Sequence, residues 1–325
     1  MKKTTTRTAR RLLCAGLLAL LGGAAAAQGD YPNAPVTLIV PFPAGSVTDA
    51  QMRALAQEAG KRLGQPVVVL NKPGATGTLG PASMARTNKP DGYTISAIAS
   101  SLTGLPHMQK VSYDPLKDFS YIVSVTGYSF ALVVPTNSPI KSLDDYVATA
   151  RAQPGKLSYA SSGIGGGTHL AMSQFAACSK IELNHITFKG GADATAAFLG
   201  GHVDSQADGA WGALVDNGQA RPLLVLTPNR VPQYPDVPTL KEKCPEVAVD
   251  GQVIGIAGPA GMPAEVVRRL HDAFKAAMAE PAFEQALKSA KQQPIYMGSQ
   301  AYADYMQKNF EDKRVLVKAI GLSVN

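Results

Sequence analysis

Val36-Thr37-Leu38-Ile39-Val40-Pro41-Phe42-Pro43-Ala44-Gly45-Ser46-Val47-Thr48-Asp49 is the stretch whose reading decides the fold. Val36 to Val40 is a short apolar run of the length of a buried strand. Beyond the turn, Met52, Leu55, Ala56, Ala59 and Leu63 recur on one face of a helix. Two prolines and Gly45 punctuate the passage between them. Ser46 followed three residues later by Asp49 matches a capping box, which places the helix start at the turn. A strand entering a helix in this way leaves backbone N–H groups aimed outward, with the helix dipole behind them. That is a seat for an anion. The same pattern also suits an ordinary α/β unit in which Ser46 is a cap and nothing more.

The rhythm continues outward from this unit. Val67 to Leu70 reads as a second strand, followed by the glycine-bearing loop Asn71–Thr78 and a small-residue helix to about Arg86. Tyr93 to Ala99 is a third strand, Phe130 to Val134 a fourth and Leu157 to Ala160 a fifth. Alternating strands and helices predict parallel pairing with right-handed crossovers. Ser142 and Asp145 form another capping-box pair. The loop Ser161-Ser162-Gly163-Ile164-Gly165-Gly166-Gly167-Thr168 runs into a helix near His169 and repeats the logic of the opening stretch. It fails the dinucleotide fingerprint, because Thr168 stands where the third glycine belongs. Asn184 to Phe188 leads to Lys189-Gly190-Gly191 and a third small-residue helix. Val203 to Ala207 ends at Asp208-Gly209-Ala210-Trp211. Leu223 to Leu226 and Val253 to Ala257 are further strands, and Pro263–Ala279 and Ser299–Ile320 are amphipathic helices. The helix-strand rhythm occurs twice, which predicts two lobes joined by crossing strands.

The first residues carry Lys2, Lys3, Arg7, Arg10 and Arg11, then an apolar run from Leu12 to Leu21 and the cluster Ala24–Ala27. This is the pattern of a secretory signal peptide cut before Gln28, and the apolar run is too short for an ordinary membrane span. The formal net charge is +7. Those five cations, with no acid among them, supply most of it, so the charge falls to +2 after cleavage (7 − 5). Such a balance is no footprint for nucleic acid or an anionic membrane. Cys178 and Cys244 would then remain, either as a disulfide in an oxidising compartment or as two buried thiols.

Catalytic patterns are sparse. There is no Gly-x-Ser-x-Gly elbow and no His-Glu-x-x-His pair. The five histidines show no metal-ligand spacing, so neither metal nor cofactor is expected. His169, in the first turn of a helix, suits a structural role as well as a ligand contact. Trp211 either stacks on a ligand or packs in a core.

Taken together, several motifs resemble one known family. They are Tyr31-Pro32, Pro41–Gly45 with Thr48-Asp49, Gly64–Val69, Asn71–Ala75, Pro90–Thr94 and Tyr113–Phe119, then Pro154–Leu157, Tyr159–Gly163, Lys189–Gly191, Pro235–Thr239 and Gly258–Pro263. They are similar, in order and over nearly the whole mature chain, to the Bug family, the extracytoplasmic solute receptors of tripartite tricarboxylate transporters. The resemblance implies an α/β fold of the two-lobed type II periplasmic binding protein kind. Each lobe would be a mostly parallel sheet flanked by helices, with a two-strand hinge. The expected division is a signal peptide over 1–27, a first lobe over 28–129 and 253–325, and a second lobe over 130–252. It implies a monomeric periplasmic receptor, not an enzyme, that delivers a small organic carboxylate to membrane components of the transporter. The ligand-binding residues carried over are Phe42, Ala44, Gly45, Ser46, Val47, Thr48 and Asp49 from the first lobe. From the second come Ser161, Ser162, Gly163, Thr168, His169, Lys189, Gly190, Asp208 and Trp211.

The chain departs from the family pattern in two places. Ser46 stands where glycine is usual, and Gly209-Ala210-Trp211 follows Asp208 where asparagine is usual. These changes leave open which mono- or dicarboxylate is taken, aliphatic or aromatic, with Trp211 as a candidate apolar wall. Two rival readings are a secreted hydrolase or isomerase using Ser161 or Ser162, and a sensor receptor that docks on a signalling partner.

Overall fold

A computed structural model describes residues 31–247 and 252–322. The expected signal peptide lies outside these residues. No helix among them is long and apolar enough to cross a membrane.

Among the described residues, eleven strands are arranged in two sheets. The first contains β1 (Val36–Val40), β2 (Val67–Asn71), β3 (Thr94–Ile98), β4 (Phe119–Gly127), β10 (Val253–Pro259) and β11 (Pro294–Gly298), in the order β11-β4-β10-β3-β1-β2. The second contains β5 (Ala131–Pro135), β6 (Ser158–Ser161), β7 (Asn184–Thr187), β8 (Ser205–Asp208) and β9 (Ala220–Val225), in the order β7-β6-β8-β5-β9. The expected parallel pairing holds for β2-β1-β3 and for β7-β6-β8, each joined through helices. The rest is antiparallel: β10 with β3 and β4, β11 with β4, and β5 with β8 and β9. Both sheets are therefore mixed rather than mostly parallel. The physical reason is the crossing: a strand that arrives from the other sheet returns against its neighbours.

The chain passes between the sheets twice. Gly127 to Ala131 joins β4 to β5, and the return reaches β10 through Gln252. These two crossings touch, with the Tyr128 N–H donating to the Gln252 carbonyl at 3.1 Å.

Alternation along each strand buries residues on both faces of its sheet. In the first sheet, Leu38 and Val40 pack with Met52, Leu55 and Phe274, while Ile39 faces Met84, Tyr121 and Tyr302. In the second, Leu132 and Val134 pack with Tyr146 and Phe175, and Val133 with Phe198 and Trp211. Cys178 and Cys244 are joined by a disulfide that ties the end of the helix Gly167–Ser179 to the residue after Leu240–Lys243.

Several elements had no counterpart in the sequence reading, among them two strands and a helix of nine residues. β4 carries the buried polar residues Ser124 and Thr126, which break its apolar period, and β11 is a partly exposed strand bounded by Pro294 and Gly298. The helix Pro281–Ser289 follows Ala264–Ala277 after a short break, with Pro281 at its first position, where a missing N–H costs nothing.

Candidate functional site

The C-terminal ends of β1, β3, β6 and β8, together with the helix after β7, line one cavity of about 410 Å³ between the sheets. Ligands of open α/β sheets bind at such strand ends.

The opening turn is built as follows. Ser46 has extended backbone geometry, and its Oγ accepts from the Asp49 N–H at 3.2 Å, so it is the cap of the helix Val47–Leu63. The capping box is incomplete. The Asp49 carboxylate reaches past Ser46 to accept the Gly45 N–H at 2.9 Å, and the Ser46 N–H turns to the Pro43 carbonyl. Arg53 Nε and Asn71 Nδ2 draw the carboxylate that way, at 3.0 and 2.7 Å. Burial alone would raise the Asp49 pKa. The bonds from Arg53, Asn71 and Gly45 outweigh it and hold the carboxylate below its ordinary range. Asp49 thus braces the turn and does not line the cavity. Ser46, Val47 and Thr48 do line it, with Phe42 and Gly45. Ser46 is therefore both cap and cavity wall. Among the described residues nothing accepts from the Val47 or Thr48 N–H.

The same construction occurs twice more. Gly166, Gly167 and Thr168 bring the start of the helix Gly167–Ser179 to the cavity, and Gly191 and Ala192 bring the start of Gly191–Leu199. Neither helix has a side-chain cap. Three helix N-termini, one from the first sheet and two from the second, thus converge on one volume, each worth roughly half a positive charge.

Among the described residues, Asp208 is the only carboxylate in the wall, and no lysine, arginine or histidine lines it. The Asp208 carboxyl is buried. It accepts the Gly209 N–H at 2.7 Å and is bonded by the Ser162 hydroxyl and the Ala210 N–H. Burial pushes its pKa up, and these three bonds oppose the rise without cancelling it. A Cβ placed on Gly191 would lie 2.5 Å from Asp208 Oδ1, so the carboxyl sits hard against the start of the third helix.

The remaining wall is largely apolar and was not assigned from sequence. Tyr128 and Phe130, on the first crossing, stack at 4.6 Å, and the Tyr128 hydroxyl bonds to Thr48 Oγ1. Ala192, Ala196 and Leu199 line the far side, with Thr195 among them. The Ser100-Ser101 turn after β3 adds hydroxyls. At the rim, Thr76 has left-handed backbone geometry (φ 54°), and its Oγ1 donates across the cleft to the Ile164 carbonyl at 2.8 Å. The loop Asn71–Thr78 was visible in the sequence as glycine-bearing, and its left-handed residues could not be read from composition.

Several residues carried over from the resemblance lie outside the wall. Ala44 and Lys189 are exposed beyond it, and Gly190 packs against Pro43. Gly163 packs against Thr76. Trp211 is 1% exposed, donates from Nε1 to the Ser129 carbonyl at 2.7 Å and packs on Tyr234, so the apolar wall comes from other residues. Ser161 is fully buried, with its Oγ 2.6 Å from His185 Nε2. His169 stacks on His185 at 4.5 Å, and its Nδ1 accepts the Gly165 N–H. Burial pulls the pKa of His169 down to about 4, and burial with the neighbouring His169 does the same for His185. Among the described residues no cluster of three metal-binding side chains occurs.

Two α/β sheets joined by paired crossings, with strand ends and helix N-termini facing a common cleft, define a two-lobed solute receptor of the periplasmic binding protein class. Residues 51–322 match the family described as "Tripartite tricarboxylate transporter family receptor". The chain belongs to that family. It is 41% identical over 308 residues to a Cupriavidus necator protein described as "UPF0065 protein in gbd 5'region", covering 94% of each. Among solved structures it is similar to periplasmic binding protein BugD, with a TM-score of 0.83 and 29% identity, covering 90% of this chain and 99% of that one. It is also similar to R. palustris Rpa4515 solved with adipate, with a TM-score of 0.84 and 25% identity, again covering 90% and 99%.

Proposed function

We propose that the protein is an exported receptor that captures a small organic carboxylate in the cleft and presents it to the membrane components of a tripartite tricarboxylate transporter. One observation carries this reading: helix N-termini from both sheets point into the same cavity. A carboxylate seated on the Val47 and Thr48 N–H groups and the Ser46 hydroxyl would also meet Thr168 from the opposite side. Neutral donors backed by helix dipoles then replace an arginine clamp. The lobes in this reading are 28–129 with 253–325, and 130–252, and the strand membership of the two sheets supports that division. Closure is a shift between two states, because a ligand that touches both lobes binds the closed state better. The protein works as a monomer, in the periplasm, with residues 1–27 removed.

The Ser161–His185 contact favours a hydrolase as the second reading. A nucleophile must reach its substrate, and the Ser161 side chain is buried outside the cavity wall. Thermal-shift screening against mono- and dicarboxylates, followed by recovery of the bound compound, tests the choice. A ligand at about 100 times its Kd adds roughly 2.7 kcal/mol to the native state. Recovery of an altered compound would replace the receptor reading with the enzymatic one.

A further inference from the structure

We propose that Lys291 is a tether between the lobes that favours their closed arrangement, and that it raises the affinity of the cleft from outside the cavity wall. The proposal rests on the two-lobed receptor reading above and adds a positioning residue to it.

Lys291 follows the helix Pro281–Ser289 in left-handed geometry (φ 56°). Its N–H donates to the Lys288 carbonyl and the Gln292 N–H to the Leu287 carbonyl. This is a Schellman turn, whose left-handed place usually falls to glycine. A lysine there adds a long arm, and the segment that carries it is fixed to the first lobe. Gln51 Nε2 donates to Gln292 Oε1 at 2.8 Å, and Thr126 Oγ1 to the Gln293 carbonyl at 2.8 Å. Gln51 belongs to the helix that starts at the cavity, and Thr126 stands just before the first crossing.

The arm crosses to the second lobe. Its Nζ donates to Asp216 Oδ2 at 2.6 Å and lies 5.7 Å from the centre of the Tyr234 ring, whose hydroxyl donates to Asp216 Oδ1 at 2.5 Å. The stem runs against Gly212, where an added Cβ would stand 2.5 Å from Lys291 Cγ. The Lys291 side chain is 10% exposed, which sets it apart from a loose surface pair. Gly212 and Asp216 both lie on the helix Trp211–Asp216, and its first residue is tied to the crossing through the Trp211 bond to the Ser129 carbonyl. Asp216 stands roughly 7.5 Å farther along that helix. Rotation about the crossings leaves the anchored end nearly in place and carries Asp216 away from Lys291. At the lobe angle of this structure the rim is joined as well, by Thr76 to Ile164 and by Pro43 against Gly190. Tether and rim are therefore made together. A ligand that needs both faces of the cleft binds more tightly when the closed state is better populated.

The closed population can be read at the rim without any ligand. Thr76→Cys with Gly166→Cys sets two thiols across the cleft, since a Cβ on Gly166 would stand 3.0 Å from Thr76 Cγ2. The rate at which they join under a fixed oxidant follows the closed state. In that background Lys291→Met keeps the stem and removes the charge, and is expected to slow joining at least threefold. Lys291→Arg keeps the charge and should restore the parent rate. Asp216→Asn should slow joining as much as Lys291→Met, and the two together no more than either, because a single pair is being removed. Calorimetric titration with adipate, the compound in the similar R. palustris structure, uses proteins with Thr76 and Gly166 intact. It is expected to show binding at least threefold weaker for Lys291→Met and unchanged for Lys291→Arg. A merely structural lysine would lower the melting point and leave the joining rate and the affinity as they were. A folded Lys291→Met protein that joins its rim at the parent rate overturns the proposal. If adipate binds none of these proteins, the joining rate alone decides the tether. The receptor reading is then judged by the wider carboxylate screen, so the two fail separately.

Discussion

Replacing Ser46 by aspartate separates the two jobs that the structure gives this residue. As a cap, Ser46 accepts the Asp49 N–H at 3.2 Å. Aspartate caps as well as serine and suits the helix dipole, so the helix loses little. The neighbouring Asp49 carboxylate is already held by Arg53, Asn71 and the Gly45 N–H, so the new charge enters a turn with a cation nearby. As cavity wall, Ser46 shares the seat with Val47 and Thr48. A ligand carboxylate seated there would lie about 4 Å from the new charge, which costs on the order of 4 kcal/mol at an effective dielectric of about 20. Since about 1.4 kcal/mol is tenfold, the expected loss of affinity is close to a thousandfold. The assay is calorimetric titration of wild type and Ser46→Asp with a carboxylate from the screen, beside melting curves without ligand. A variant that melts like wild type and binds within threefold of it would refute the reasoning and leave the opening turn as scaffold.

Other outcomes follow from the same structure. Thr76→Val removes the bond across the rim to Ile164, worth about 0.5–1.5 kcal/mol. Ligand affinity should fall several-fold with an unchanged melting point without ligand, as read by calorimetry. His169 titrates near pH 4 in the folded protein and near 6.5 in the unfolded chain, so the fold favours its neutral form. That stability is present above pH 6.5 and is lost as pH falls through 4. Burial of His169 alone should cost roughly 2 kcal/mol between pH 7 and pH 4.5. Denaturant curves at the two pH values check this, and His169→Gln should shrink the difference while leaving the part that the buried His185 contributes. Reducing the Cys178–Cys244 disulfide, which closes a span of 66 residues, should lower stability by about 2–4 kcal/mol. Urea midpoints with and without reductant measure it, and ligand affinity well below the unfolding midpoint should be unchanged. Trp211→Phe loses the bond to the Ser129 carbonyl but no cavity wall. Its melting point should fall while carboxylate affinity stays within threefold.

What could be read from the chain is what local chemistry determines. The strand-turn-helix at Val36–Leu63 follows from prolines, a glycine and a cap within a few residues of one another, and these act whatever the rest of the chain does. The helix starts that line the cavity were legible for the same reason, because a helix N-terminus exposes its N–H groups wherever it forms. The far wall was not legible. Ala192, Ala196 and Leu199 sit at helical spacing, and nothing local tells a stripe that faces a cleft from one that faces a core. Trp211 failed in the opposite sense. Its place after a strand end suggested the ligand, but the short helix Trp211–Asp216 turns the ring into the second core. Tyr128 and Phe130 belong to the crossing between the sheets, and a crossing exists only once both sheets do. Asp208 is the sharpest case. In the sequence it is a carboxylate at a strand end, and so a contact for some ligand group. In the fold its oxygen lies where any side chain on Gly191 would stand. Its bonds go to the Gly209 and Ala210 N–H groups and the Ser162 hydroxyl, so it braces its own strand end against that helix. A carboxylate at a strand end can thus be engaged by the N–H groups that follow it, and its position in the sequence alone does not distinguish that use from a ligand contact.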